Sequence, residues 1–163
     1  MLKITVGTAT LALACSLAIG AHAQLVTTKH LSLPIAATIA TTAMETCKTQ
    51  GYNVSVHIIG DMGEVLVALR GDNTGPHTME NSMRKALTSR GTRAPSGQFA
   101  ENVSKTPNAG ALRLGNMIPA RGALPIKAGE ETIGAVGVSG APGGDKDEAC
   151  AKAGIDKVAD QLK

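Results

Sequence analysis

The chain has 163 residues, 43% hydrophobic and 18% charged, with a formal net charge of +3. That is the composition of one ordinary globular domain, neither disordered nor multi-domain. One Tyr, one Phe and no Trp leave no stacking platform for single-stranded nucleic acid, and the mixed charge offers no basic stripe for a duplex, so no nucleic-acid partner is expected.

Lys3, a mostly apolar run from Ile4 to Ile19, and Ala21-His22-Ala23 before Gln24 read as a secretory signal peptide over residues 1–23, cleaved after Ala23. The run is too short and too rich in small residues to span a membrane, and no later stretch reaches the ~20 apolar residues that a spanning helix needs. A soluble periplasmic or secreted domain over 24–163 is expected. Leu13-Ala14-Cys15 offers a rival lipoprotein site, but Ser16-Leu17-Ala18-Ile19 continues apolar where a lipidated N-terminus turns polar. Cleavage leaves Cys47 and Cys150, an even pair in an oxidising compartment, so a disulfide is expected. Two buried free thiols are the alternative.

From Ser32 to Gln50 a helix is predicted: Ser32 as cap, Pro34 in the first turn, and Ile35, Ile39, Ala43 and Cys47 at four-residue spacing before Gly51. The β-branched stretch Val54–Ile59 and the apolar run Glu64–Arg70 flank a Gly-containing loop and predict a hairpin. His77 to Arg90 reads as a second helix with Met79, Met83, Ala86 and Leu87 as its apolar stripe, and a short helix is expected within Pro95–Asn108. Gly122–Lys127 and Glu131–Ser139 form a second strand pair. Gly134 and Gly137 imply a helix or ligand close to the last strand's backbone. Asp145 begins a terminal helix carrying Ala149, Cys150, Ala153, Ile155 and Val158 toward a core, with acidic residues in its first turn as the helix dipole prefers. Hairpin-joined strands force an antiparallel sheet covered by helices, an α+β class. If the first and last helices share a face, the two cysteines meet.

The glycine run from Gly134 to Gly144 precedes a helix start, an anion-binding arrangement, but most of it lies within a strand and reads as packing. No Gly-x-Ser-x-Gly elbow, His-Glu-x-x-His helix or Cys-x-x-Cys pair is present, so hydrolase and zinc chemistry have no motif. His30 reads as solvated and His57, alternating with Val56 and Ile58, as structural. His77 follows Gly75-Pro76 at a helix start, where its ring can project. Lys85, Arg90 and Arg93 follow it, a grouping that suits haem, whose iron takes imidazole and whose propionates take cations. A solvated helix start above a methionine stripe is the plainer reading.

From about His30 to Val158 the chain resembles the GlcG/HbpS family of haem-binding proteins, also called haem-degrading domains. The resemblance rests on Gly51–Val56 leading to Asp61-Met62-Gly63, on Arg70-Gly71-Asp72, Arg84–Thr88 and Leu124-Pro125-Ile126, and above all on Ile133–Cys150. It implies a profilin-like α+β fold, assembly into a homo-oligomer, and haem or a related tetrapyrrole as ligand; the leader matches the secreted type, tied to redox sensing with a sensor partner left unspecified. The leading expectation is a non-enzymatic haem binder with His77 on the iron, Thr88 as a weaker oxygen donor, and Lys85, Arg90 and Arg93 toward the propionates. Oxidative haem degradation and a non-catalytic accessory oligomer are the alternatives.

Overall fold

In the computed structural model, residues 25–106 and 109–163 are described; the expected leader lies outside them. Helix α1 spans Leu33–Thr49, and its buried residues Ala36, Ile39, Ala40, Ala43 and Cys47 form one stripe of helical period. Ser32 occupies the cap position with extended backbone but makes no side-chain cap bond. Gly51, at φ +83°, closes the helix in the left-handed region that favours glycine.

The strands are β1 (Ser55–Ile59), β2 (Val65–Arg70), β3 (Ala123–Ala128) and β4 (Glu131–Ser139), in sheet order β2-β1-β4-β3 with every pair antiparallel. Between the hairpins lie α2 (Thr78–Thr92) and α3 (Ser96–Lys105), and α4 (Gly144–Asp156) follows β4. The class is α+β, as the strand pairing required.

One face of the sheet is dry. Val56 and Ile58 of β1 and Val136 and Val138 of β4 pack with Ile39 and Ala43 of α1 and Ala151 of α4 in one buried cluster. Cys47 and Cys150 lie in that cluster and form a disulfide, Cα–Cα 5.6 Å. The α4 stripe is Asp147, Cys150, Ala151 and Gly154, so Ala149 turns outward, contrary to expectation, and Val158 reaches the core from beyond the helix end.

Helix α2 covers the opposite face, and its buried side is not the methionine stripe. Thr78, Ser82, Lys85, Ala86 and Ser89 are buried, while Met79 and Met83 are only partly so. The reason lies in β4: a Cβ on Gly137 would stand 2.1 Å from Ser82 O and 2.8 Å from Ala86 N, so the helix backbone rests on the strand and only small side chains fit between them. Gly137 thus meets a helix, as expected, whereas a Cβ on Gly134 would meet the carbonyl of Ile59 in the neighbouring strand at 2.4 Å.

Candidate functional site

The face under α2 is an array of buried polar groups. Residues directly paired across antiparallel strands point the same way, and the register Ser55↔Ser139 and His57↔Gly137 sets Ser55, His57 and Ser139 beneath α2. Thr78 Oγ1 donates to Gly75 O at 2.8 Å and accepts from Ser55 Oγ at 2.8 Å. Ser82 Oγ donates to Met79 O, which leaves it to accept from His57 Nδ1 at 2.8 Å and fixes that imidazole's tautomer. Burial pushes the His57 pKa below its ordinary value. This is the structural role its strand position suggested.

Lys85 and Asp147 form a buried ion pair at 2.7 Å, and Lys85 Nζ also donates to Val138 O at 3.0 Å. Asp147 stands in the first turn of α4 and accepts the Ala141 N–H on its other oxygen at 3.0 Å. Desolvation pushes the Asp147 carboxyl up despite the ammonium beside it.

This pair lies at the floor of a cleft of about 400 Å³ between the first turns of α2 and α4. Gly75, His77, Thr78 and Asn81 form one wall, and Ser139, Gly140, Ala141 and Gly144 the other; Arg121 stands at the rim. His77 is exposed at the cap position of α2 and makes no cap bond. Its ring folds over Gly75, where a Cβ would come within 2.8 Å of Cε1. Arg121 Nη2 donates to Glu101 at 2.7 Å, and Nη1 lies 3.7 Å from Glu148. Burial raises the Glu148 pKa against the pull of Arg121.

The structure brings together His77 and Lys85 and separates the rest of the expected set. Thr88 is fully buried; its hydroxyl donates to Arg84 O and accepts the Ile118 N–H, so it is no free oxygen donor. Arg90 and Arg93 lie about 20 Å or more of helix rise from His77, in a different cleft. There Arg90 pairs with Asp61 beside Glu130 and Glu131, and Arg93 ends α2 at φ 55°. Within one chain the helix length therefore sets Arg90 and Arg93 apart from His77, where the sequence had grouped them. The Lys85 charge is balanced by Asp147. Arg121, the cation that does reach the His77 cleft, went unnoticed because its segment between α3 and β3 carries no periodic pattern. Among the described residues no helix is long and apolar enough to cross a membrane, and no group of three or more His, Cys, Asp or Glu gathers to hold a metal ion.

An antiparallel sheet between helices, with a polar cleft at the converging starts of α2 and α4, defines a small α+β domain. The sequence profile described as haem degrading protein HbpS-like matches residues 31–156; the chain belongs to the HbpS-like family. A crystal structure of HbpS is similar at 33% identity and TM-score 0.79, covering 83% of this chain and 94% of that one. A double mutant of HbpS from Streptomyces reticuli matches at 29% identity and TM-score 0.79, over 96% and 99% of the two chains. A PduOC:heme complex shares the fold at 20% identity and TM-score 0.71, over 78% and 94%. No curated protein matches the chain.

Proposed function

We propose that the chain is an exported haem-binding protein that works as a homo-oligomer, in which His77 would hold the iron. The observation that carries the reading is an exposed imidazole at the mouth of a cleft in a chain of this family. The residues present fit a surface-held haem. His77 is solvent-accessible and makes no hydrogen bond with its ring among the described residues, and Arg121 at the same rim, its side chain 44% exposed, would reach a propionate by exchanging its contacts with Glu101 and Glu148. The iron supplies the redox chemistry when haem is bound; the chain's part is to offer the imidazole and the cation. No Phe, Tyr or Trp lines the cleft, so little apolar surface covers a porphyrin and affinity should be modest.

Hemin titration of the protein, followed at the Soret band, tests the reading. His77→Ala should shift the maximum and weaken binding, and His30→Ala should leave both unchanged. An unaltered spectrum in His77→Ala would falsify the ligand assignment. Absence of any hemin spectrum in the wild type would leave the accessory-oligomer reading, and loss of the band on adding a reductant, with biliverdin-like absorption, would point to haem degradation.

A further inference from the structure

We propose that the floor of this cleft is a carboxylate-binding site built from Ser139, Lys85 and Asn81, independent of any iron at His77. Ser139, the last residue of β4, is only 4% exposed. Its neighbours under α2 are paired: Ser55 with Thr78, His57 with Ser82, Lys85 with Asp147. Ser139 Oγ has no hydrogen-bond partner among the described residues, yet it is not sealed from the cleft that it lines. A hydroxyl that faces the cleft and has no protein partner among the described residues is placed to serve something that enters.

What enters should be a hydrogen-bond acceptor with negative charge. Lys85 Nζ has three protons and two partners, Val138 O and Asp147, which leaves one donor for a ligand. The Asn81 side chain also lines the cleft and makes no hydrogen bond among the described residues, so its amide N–H groups are free to donate. Asp147, the one carboxylate in the lining, has one oxygen on the Ala141 N–H and the other on Lys85, so the pair is close to neutral toward the cleft. The positive ends of the α2 and α4 dipoles then meet at the cleft, while Arg121 at its rim is shared with Glu101 and Glu148. A volume of about 400 Å³ exceeds what a carboxylate needs, so either a free small organic acid or the propionate arm of a larger group can bring it.

The test titrates the full chain, ¹⁵N-labelled, with acetate and with its neutral isostere acetamide at constant ionic strength. Acetate should produce saturable amide shifts at Ser139, Ala141 and Gly144, and acetamide should not. Ser139→Ala, which removes one hydroxyl from a fold it does not hold together, should weaken acetate about tenfold. No saturable shift, an equal response to acetamide, or an unchanged Ser139→Ala overturns the site. Hemin and hemin dimethyl ester distinguish the sources. Tighter binding of hemin than of its ester, lost in Ser139→Ala, makes the carboxylate a propionate; equal binding of both, with acetate still saturating, makes it a free acid. Acetate binding without any hemin spectrum supports the site and defeats the haem reading. Hemin binding with neither acetate saturation nor ester discrimination does the reverse.

Discussion

The two faces of the sheet are buried by different chemistry. Under α1 and α4 lie Ile39, Val56, Ile58, Val136 and Val138, a dry core closed by a disulfide. Under α2 the apolar cluster shrinks to Ile59, Ala86 and Ala135, and the rest is hydroxyl, imidazole, ammonium and carboxylate. The first face gains stability from area removed from water. The second gains less per residue and is sensitive to any partner lost, and the cleft opens on that side. A polar network can present unspent donors to a ligand, which an apolar core cannot.

The largest break in this contrast should come from one side of the ion pair. Asp147→Ala leaves the Lys85 ammonium buried without its counter-charge, a loss of about 3–5 kcal/mol, whereas the double change Lys85→Met with Asp147→Leu should recover most of it. Urea midpoints of the three proteins check this, and a single mutant within about 1 kcal/mol of wild type would refute the pair's burial. On the dry face, Cys47→Ala with Cys150→Ala should cost about 2–5 kcal/mol, because the bridge joins residues 103 apart and restricts the unfolded chain. A melting temperature unmoved by the double replacement would contradict it. Gly137→Ala should cost about 1–3 kcal/mol by lifting α2 from β4, and a crystal structure should find the helix displaced. Unchanged stability would mean that the contact is looser than described.

The smallest effect is one of pH. Burial holds the His57 imidazole below its ordinary pKa, so the unfolded chain takes up a proton that the native state resists. Stability present at neutral pH should therefore fall as the pH drops below about 6.5. His57→Gln should flatten that decline, and denaturant midpoints at pH 7.5 and 5.5 measure it. Asp147 and Glu148, both raised, act in the opposite sense: their contribution is present at low pH and lost as the pH rises through their folded values. An equal decline in His57→Gln and wild type would assign the acid sensitivity elsewhere.

Much of the fold was legible because local signals agreed. Four-residue spacing marked α1, β-branched runs around Gly turns marked both hairpins, and the antiparallel class followed from short connections. The shared face of α1 and α4 brought Cys47 to Cys150. The buried face of α2 was not legible, because the apolar residues Met79, Met83, Ala86 and Leu87 marked a stripe, and nothing local shows that Gly137 brings the helix backbone at Ser82 and Ala86 onto the strand. The candidate site suffered for the same reason: Lys85 read as a free cation, and its partner Asp147 stands 62 positions away. Arg90 and Arg93 were grouped with His77 by sequence proximity, although a helix of this length carries them to its far end. A measure of helix rise alone could have separated them.

The Cys47–Cys150 bridge makes most of the chain a covalent ring. Both hairpins, α2, α3 and the exposed stretch around Leu112 and Leu114 lie inside it. A protease that cuts that stretch therefore opens the ring without releasing a fragment. The nicked molecule keeps its mass on a non-reducing gel and splits only when thiol is added, so in protease-rich surroundings a single cut leaves the halves that flank the cleft tethered to each other.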